Sequence, residues 1–165
     1  WHDYAHVFYA PTNAKEVVIR FSPRKHATYI SRVTLTPDTE DDTVNPNPDF
    51  RHGELNYCGW SPQRDGRLYT RPDGKTIFRS GYYGGSPKFP LQPGRKYQIT
   101  GLGEGGSLVL NYYNDEGKKL GDRFLMHCSS NKEGVTEVVP PEQTVSANVT
   151  VTGTILEYLK VKAMP

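Results

Sequence analysis

The sequence predicts an all-β protein, an antiparallel β-sandwich, on three observations. Apolar residues alternate with polar ones through most of the chain and almost nowhere recur at helical spacing. Turn chemistry breaks these runs at short intervals: Asp65-Gly66, Pro72-Asp73-Gly74, Pro93-Gly94, Gly105-Gly106 and Asn114-Asp115-Glu116-Gly117. Tyrosine, a residue suited to a half-buried pleated surface, is abundant at eleven copies against two Trp and six Phe. Many short strands separated by such turns close into a sandwich or a barrel.

In chain order, the first strands fall at residues 16–21, entered through a turn at Ala10-Pro11, and at 28–35. Residues 37–45 (PDTEDDTVN) are acidic and poor in apolar side chains and run into two Asn-Pro pairs, which is linker composition. Apolar strand contexts follow at 55–60 and, later, at 124–128. Between them, Tyr97 and Ile99 point one way while Lys96 and Gln98 point the other. Leu108, Leu110 and Tyr112 share one face of the next strand, leaving Val109, Asn111 and Tyr113 on the opposite face. Phe124, Met126 and Cys128 repeat the alternation, and so do Ala147, Val149 and Val151. The last strand is 154–161.

The chain carries its closing pattern twice. Residues 136–161 repeat the grammar of residues 8–35: a Pro-marked turn (Pro140-Pro141 against Ala10-Pro11), an alternating strand, a short turn and a second strand. Ile30 falls on Leu156, Val33 on Leu159 and Leu35 on Val161. The chain therefore divides into a β-hairpin segment at 1–36, a linker at 37–44 and a domain at 45–165. A two-stranded hairpin is marginal by itself. Residues 1–36 must pack on the domain, as two extra strands of it, or exchange with a neighbouring molecule through their unpaired edges.

Charge excludes several function classes. Twenty basic and eighteen acidic residues, net +2, are scattered without a long like-charged run, so neither nucleic acid nor a membrane surface is an expected partner. The mild basic excess suits an acidic polysaccharide at most. Nothing resembles a signal peptide or a membrane span; Trp1 opens in mid-pattern, so a leader is expected upstream. Cys58 and Cys128 form no metal-type cluster, and the sequence leaves a disulfide and two buried thiols equally open. The five histidines (His2, His6, His26, His52, His127) lack metal-ligand spacing. The sequon Asn148-Val149-Thr150 sits inside a strand and is read as chance. Glycosidases need paired carboxylates, but Glu104, Asp115 and Glu116 all sit in Gly-flanked turns, where acids serve turn geometry. There is no Gly-x-Ser-x-Gly elbow, and an enzyme is not expected.

The run Asn47-Pro48-Asp49-Phe50 followed by Gly59-Trp60 resembles the opening of jelly-roll carbohydrate-binding modules, the superfamily that includes families 4, 9, 16 and 22. Leu91-Gln92-Pro93-Gly94-Arg95-Lys96-Tyr97 resembles their "Leu-x-Pro-Gly-x-x-Tyr" strand entry. Residues 110–117 (LNYYNDEG) resemble their mid-domain strand and hairpin, and 154–161 stands where they end. The ordered set spans residues 45–165, and residues 8–36 are similar to the end of a preceding copy. The resemblance implies a jelly roll, with Trp60 in the core and Tyr97 and Tyr158 structural. Two positions depart from it. Arg51 replaces a Glu, and the Asp of the final strand is Ser31 in the first copy and Glu157 in the second. In the family these carboxylates help to hold a structural calcium, which needs several oxygen ligands. Arg51 argues against the ion and is expected to pair with Glu157 instead, so no cofactor is expected and calcium is the weaker reading.

Within that resemblance, the function expected is a non-catalytic module of a secreted, multidomain carbohydrate-active enzyme that binds polysaccharide and targets an attached catalytic domain. The alternative is a structural β-sandwich spacer without a ligand. Sugar binding needs aromatic rings on an outward sheet face or rim, with amides, guanidinium groups and carboxylates beside them. Asn111 and Tyr113 meet that requirement by alternation, and Gln98 faces outward by the same logic. Tyr82 and Tyr83 sit in a Gly-rich stretch (Arg79-Ser80-Gly81-Tyr82-Tyr83-Gly84-Gly85), with Arg79 at its head. Arg64 and Tyr69, along with Arg67, are placed on the same edge.

Overall fold

The computed structural model describes residues 15–19, 30, 32–34, 43–46, 48–51, 54, 59–129 and 132–165. Among these described residues eleven strands run in the order β1 (Ser61–Pro62), β2 (Arg67–Thr70), β3 (Thr76–Arg79), β4 (Tyr83–Gly85), β5 (Phe89–Pro90), β6 (Tyr97–Glu104), β7 (Ser107–Tyr113), β8 (Lys119–His127), β9 (Gly134–Val138), β10 (Ser146–Thr152) and β11 (Ile155–Ala163). All pairings are antiparallel, in two sheets. One sheet runs β1-β4-β10-β7-β8, with β5 also on β10; the other runs β2-β3-β11-β6-β9. This is the predicted sandwich, of jelly-roll type.

The period-2 pattern places the core where the sequence put it. Tyr97, Ile99, Leu108, Leu110, Tyr112, Ala147, Val149, Val151, Leu156, Leu159 and Val161 are all buried between the sheets. The β6–β7 and β10–β11 hairpins cross from one sheet to the other at the same end. They approach so closely that a Cβ on Gly106 (φ +61°) would lie 1.7 Å from the Thr152 carbonyl oxygen, so glycine is obligatory there. At the domain opening, Phe50 packs edge-on to Trp60 with ring centroids 4.9 Å apart, and both meet Phe78. The indole Nε1 of Trp60 donates to the Pro46 carbonyl at 3.2 Å. Trp60 is thus a core anchor, as the resemblance implied, and Tyr97 is buried with its hydroxyl accepting from the Gln92 amide at 2.9 Å.

Residues 43–46 and Pro48 run along β11 where β3 leaves it. The amide of Val44 donates to the Val161 carbonyl, and that of Leu159 to the Pro48 carbonyl. Between them the buried Asn45 side chain donates to the Leu159 carbonyl at 2.7 Å and accepts from the Val161 amide at 2.8 Å. Thr43 and Val44, at the end of the expected linker, already belong to the sandwich edge.

Two expectations change. Phe124 does not share a face with Met126, because a β-bulge opens between the Leu108–Met126 and Val109–Phe124 pairs. The extra residue, Leu125, turns inward and Phe124 turns outward. The carboxylate of Glu157 is taken by Arg71 at 2.9 Å and Lys75 at 3.6 Å rather than by Arg51, whose Nε bonds Asp49 at 2.9 Å. The described residues of the expected first hairpin, 15–19, 30 and 32–34, are exposed and none lies in a regular strand. The other residues of segment 1–36, along with Cys58, lie outside the described residues. Cys128 is half-buried against the core, and burial pushes its thiol up.

Candidate functional site

The outer face of the β1-β4-β10-β7-β8 sheet carries the candidate site. Residues directly opposite one another across strands share a face, and the register gives four rows. Tyr83, Thr152, Ser107 and His127 form the first row, and Gly85, Thr150, Val109 and Phe124 the second. Asn148, Asn111 and Asp122 form the third, and Ser146, Tyr113 and Lys119 the fourth. The inner face of the same strands is the apolar core, so alternation drives these side chains outward, except at Phe124, which the β8 bulge turns out.

Rings stand at both flanks over a low centre. Tyr83 on β4 and Phe124 on β8 are 41% and 49% exposed. Three strand spacings separate them, about 14 Å of backbone. Between them lie Gly85, Thr150, Thr152, Ser107 and Val109, all small or β-branched. Tyr82 packs edge-on to Tyr83 with centroids 4.5 Å apart, and the Arg64 guanidinium sits 5.3 Å from the Tyr82 ring centre. Phe124 is backed by the His127 ring at 4.9 Å.

Polar groups occupy the other half of the face. Asn111 Nδ2 donates to Asn148 Oδ1 at 3.2 Å and to Thr150 Oγ1 at 2.9 Å, and the Tyr113 hydroxyl donates to the same Asn148 oxygen at 3.2 Å. One face of the Tyr113 ring is covered by the Lys88 ammonium, 3.9 Å from the ring centre. Tyr113 therefore positions a cation and an amide rather than offering that face as a stacking platform. Asp122 accepts from Lys119 Nζ at 2.8 Å.

Five of the eight residues expected from sequence come together here: Arg64, Tyr82, Tyr83, Asn111 and Tyr113. The other three belong to the second sheet. Tyr69, Arg79 and Gln98 each follow or precede a core residue (Leu68, Phe78, Ile99) and so face outward on the far side of the sandwich. The Arg67 guanidinium lies 5.6 Å from the Tyr69 ring centre there. Sequence reasoning missed Phe124, Asn148, Lys88 and Asp122. Asn148 alternates with the core residues Ala147 and Val149, a signal that was present but set aside with the sequon.

The far side also carries an ion-pair cluster beside a surface recess lined by Arg71, Pro72, Asp73, Lys75, Leu102 and Glu157. The hydrogen bond from Arg71 to Glu157 raises the Arg71 pKa, and the Lys75 amide holds the Asp73 carboxyl low, with Arg71 3.3 Å away. Among the described residues no three His, Cys, Asp or Glu side chains group as a metal site.

No family model matches the chain. No curated protein matches it either. Solved structures do. The enzymatically active domain of tailspike protein 4 from bacteriophage CBA120 is similar at a TM-score of 0.53 and 10% identity, over 74% of this chain and 21% of that one. The CBM22-1–GH10 modules of Clostridium thermocellum xylanase 10B, solved with xylohexaose, score 0.48 at 14% identity, over 68% and 27% of the two chains. TmCBM61, solved with β-1,4-galactotriose, scores 0.47 at 14% identity, over 74% and 99%. This chain thus spans only about a fifth of the tailspike chain, and what the two share is the sandwich fold.

Proposed function

We propose that this chain is a non-catalytic carbohydrate-binding module that holds a polysaccharide across the outer face of the β4-β10-β7-β8 sheet. One observation carries the reading: exposed rings at both flanks of a low, open sheet face whose other half is lined by amide, carboxylate and ammonium groups. Tyr83 and Phe124 supply flat apolar surface for the faces of sugar rings. Asn148, Asp122 and Lys88 supply acceptors and donors for hydroxyls, and Asn111 and Tyr113 hold the Asn148 amide in place. Tyr82 and Arg64 extend the face at its edge. The ordered motifs of residues 45–165 support the same reading.

Catalysis has no part in it. The carboxylate on the face is bound by Lys119, and Asp115 caps its own turn through the Glu116 amide. Without a cofactor, such a module acts by raising the local concentration of an attached catalytic domain at a polymeric, extracellular substrate. Affinity electrophoresis on cellulose, xylan, β-glucan, pectin and alginate tests this. Retardation by at least one polymer is expected. Free migration through all of them contradicts the reading for those ligands and favours a spacer.

A further inference from the structure

Two cations on the candidate face are held by aromatic rings instead of carboxylates. The Arg64 guanidinium lies 5.3 Å from the centre of the Tyr82 ring, and the Lys88 ammonium 3.9 Å from that of Tyr113. Both side chains are exposed. Among the described residues no carboxylate lies within ion-pair distance of either. The one carboxylate in the four rows, Asp122, is already taken by Lys119 at 2.8 Å. In the turn after Tyr113, Asp115 accepts from the Glu116 amide, and neither acid pairs with Lys88. A cation over a ring is attracted to the π-face but keeps its whole charge. The face therefore presents two unbalanced positive charges.

The backbone places both of them before any ligand arrives. Arg64 has a φ of +51°, a left-handed conformation that residues with a side chain rarely adopt. It sits in the turn Gln63–Gly66, closed by the Gly66 amide donating to the Gln63 carbonyl at 3.0 Å. The Gln63 backbone amide donates in turn to the Tyr83 carbonyl at 2.9 Å. A Cβ on Gly81 would lie 2.0 Å from the Gln63 carbonyl oxygen, so the turn is seated on the segment that carries Tyr82. Phe89 is buried and pairs with Ala147, so Lys88 before it turns outward, as Asn148 does after Ala147. Tyr83 stands opposite Thr152 and Tyr113 opposite Ser146, six residues apart on β10. The two cations are thus separated along the strands by roughly 20 Å. One charged sugar does not reach both; a polymer with repeated negative charge does.

We propose that the ligand of this face is an acidic polysaccharide, and that Arg64 and Lys88 each take one of its anionic groups. The inference rests on the reading that the face binds polysaccharide, and it narrows the class. A guanidinium presents a planar fork of donors that fits an oxyanion through two parallel hydrogen bonds, and an ammonium offers three donors. Tyr83 and Phe124 still receive the apolar faces of sugar rings; the two charges choose among polymers. Because both cations are exposed, salt screens their contribution.

Affinity electrophoresis of the whole chain tests this with matched polymers. Polygalacturonate and alginate each run beside their methyl esters, and a sulfated galactan beside its desulfated form. At least one acidic polymer is expected to retard the protein, with affinity at least about tenfold above that for its neutralised form. The pair that responds tells carboxylate from sulfate. Arg64→Gln with Lys88→Gln should lower that affinity by at least about tenfold and flatten its salt dependence, with the melting temperature unchanged. Lys160→Gln with Lys162→Gln removes the same charge from the far face, where these lysines alternate with the core residues Leu159 and Val161, and should leave affinity unchanged. Equal retardation by acidic and neutralised forms overturns the proposal and leaves the polysaccharide reading standing. Equal weakening by the two double variants also overturns it, since the attraction is then one of bulk charge. So does free migration past every acidic polymer; retardation by cellulose, xylan or β-glucan in that case shows that the broader reading survives.

Discussion

Asn111 is a buried amide on the side of its sheet that faces away from the core, and burial of a polar group is tolerated only when it is bonded. Its two donors are taken by Asn148 Oδ1 and Thr150 Oγ1. Asn111→Ala is expected to cost about 1 kcal/mol in urea unfolding, and to weaken polysaccharide binding by releasing Asn148; unchanged affinity would remove Asn148 from the site. Asn111 and Tyr113 were legible in the sequence because Leu108, Leu110 and Tyr112 fix the parity of β7. Lys88 was not. Its role depends on β5 bringing Phe89 and Pro90 onto β10, opposite the end of β7 that carries Tyr113. No local pattern records that meeting. Glu157 shows the same limit, since sequence could offer it a cation but could not choose Arg71 over Arg51.

At the scale of elements, bulges decide what faces outward. The bulge at Leu125 puts Phe124 on the outer face, whereas strict period-2 reading placed it in the core. Such an insertion leaves no local mark when the extra residue is itself apolar. The Leu125 carbonyl, freed by the bulge, accepts from Thr136 Oγ1 of β9 at 2.7 Å, tying the two sheets together. Thr136→Val should therefore lower stability by about 1 kcal/mol, read by chemical denaturation; no change would mean that the bulge needs no such support. The second bulge frees Tyr158, whose hydroxyl donates to Glu133, and burial with that carboxylate pushes its pKa up to about 12. The folded state thus keeps this proton above the ordinary tyrosine value of about 10. The stability it contributes is whole below pH 10 and is lost as pH rises towards about 12. Tyr158→Phe should flatten that part of the alkaline unfolding curve, and an identical curve would show that Tyr158 titrates normally.

In the molecule as a whole, the sandwich has two outer faces of different character. The far face is charged: the Arg71, Asp73, Lys75 and Glu157 cluster and the Lys96–Glu137 pair at 2.5 Å lie there. The near face carries paired rings and an amide network over a low centre. Sequence parity could say that Gln98 and Tyr69 point outward but not on which sheet, because strand order is set by pairing between distant segments. That is why the expected site drew from both faces and the structure divides it. The most direct measurement is therefore a comparison of faces by titration calorimetry against whichever polymer retards the protein. Tyr83→Ala with Phe124→Ala, both at exposed positions, should leave the melting temperature nearly unchanged and reduce affinity by at least about tenfold, the equivalent of about 1.4 kcal/mol. Tyr69→Ala with Gln98→Ala should leave affinity unchanged. The reverse result, binding lost with the far pair and kept without the near one, would contradict the placement of the site.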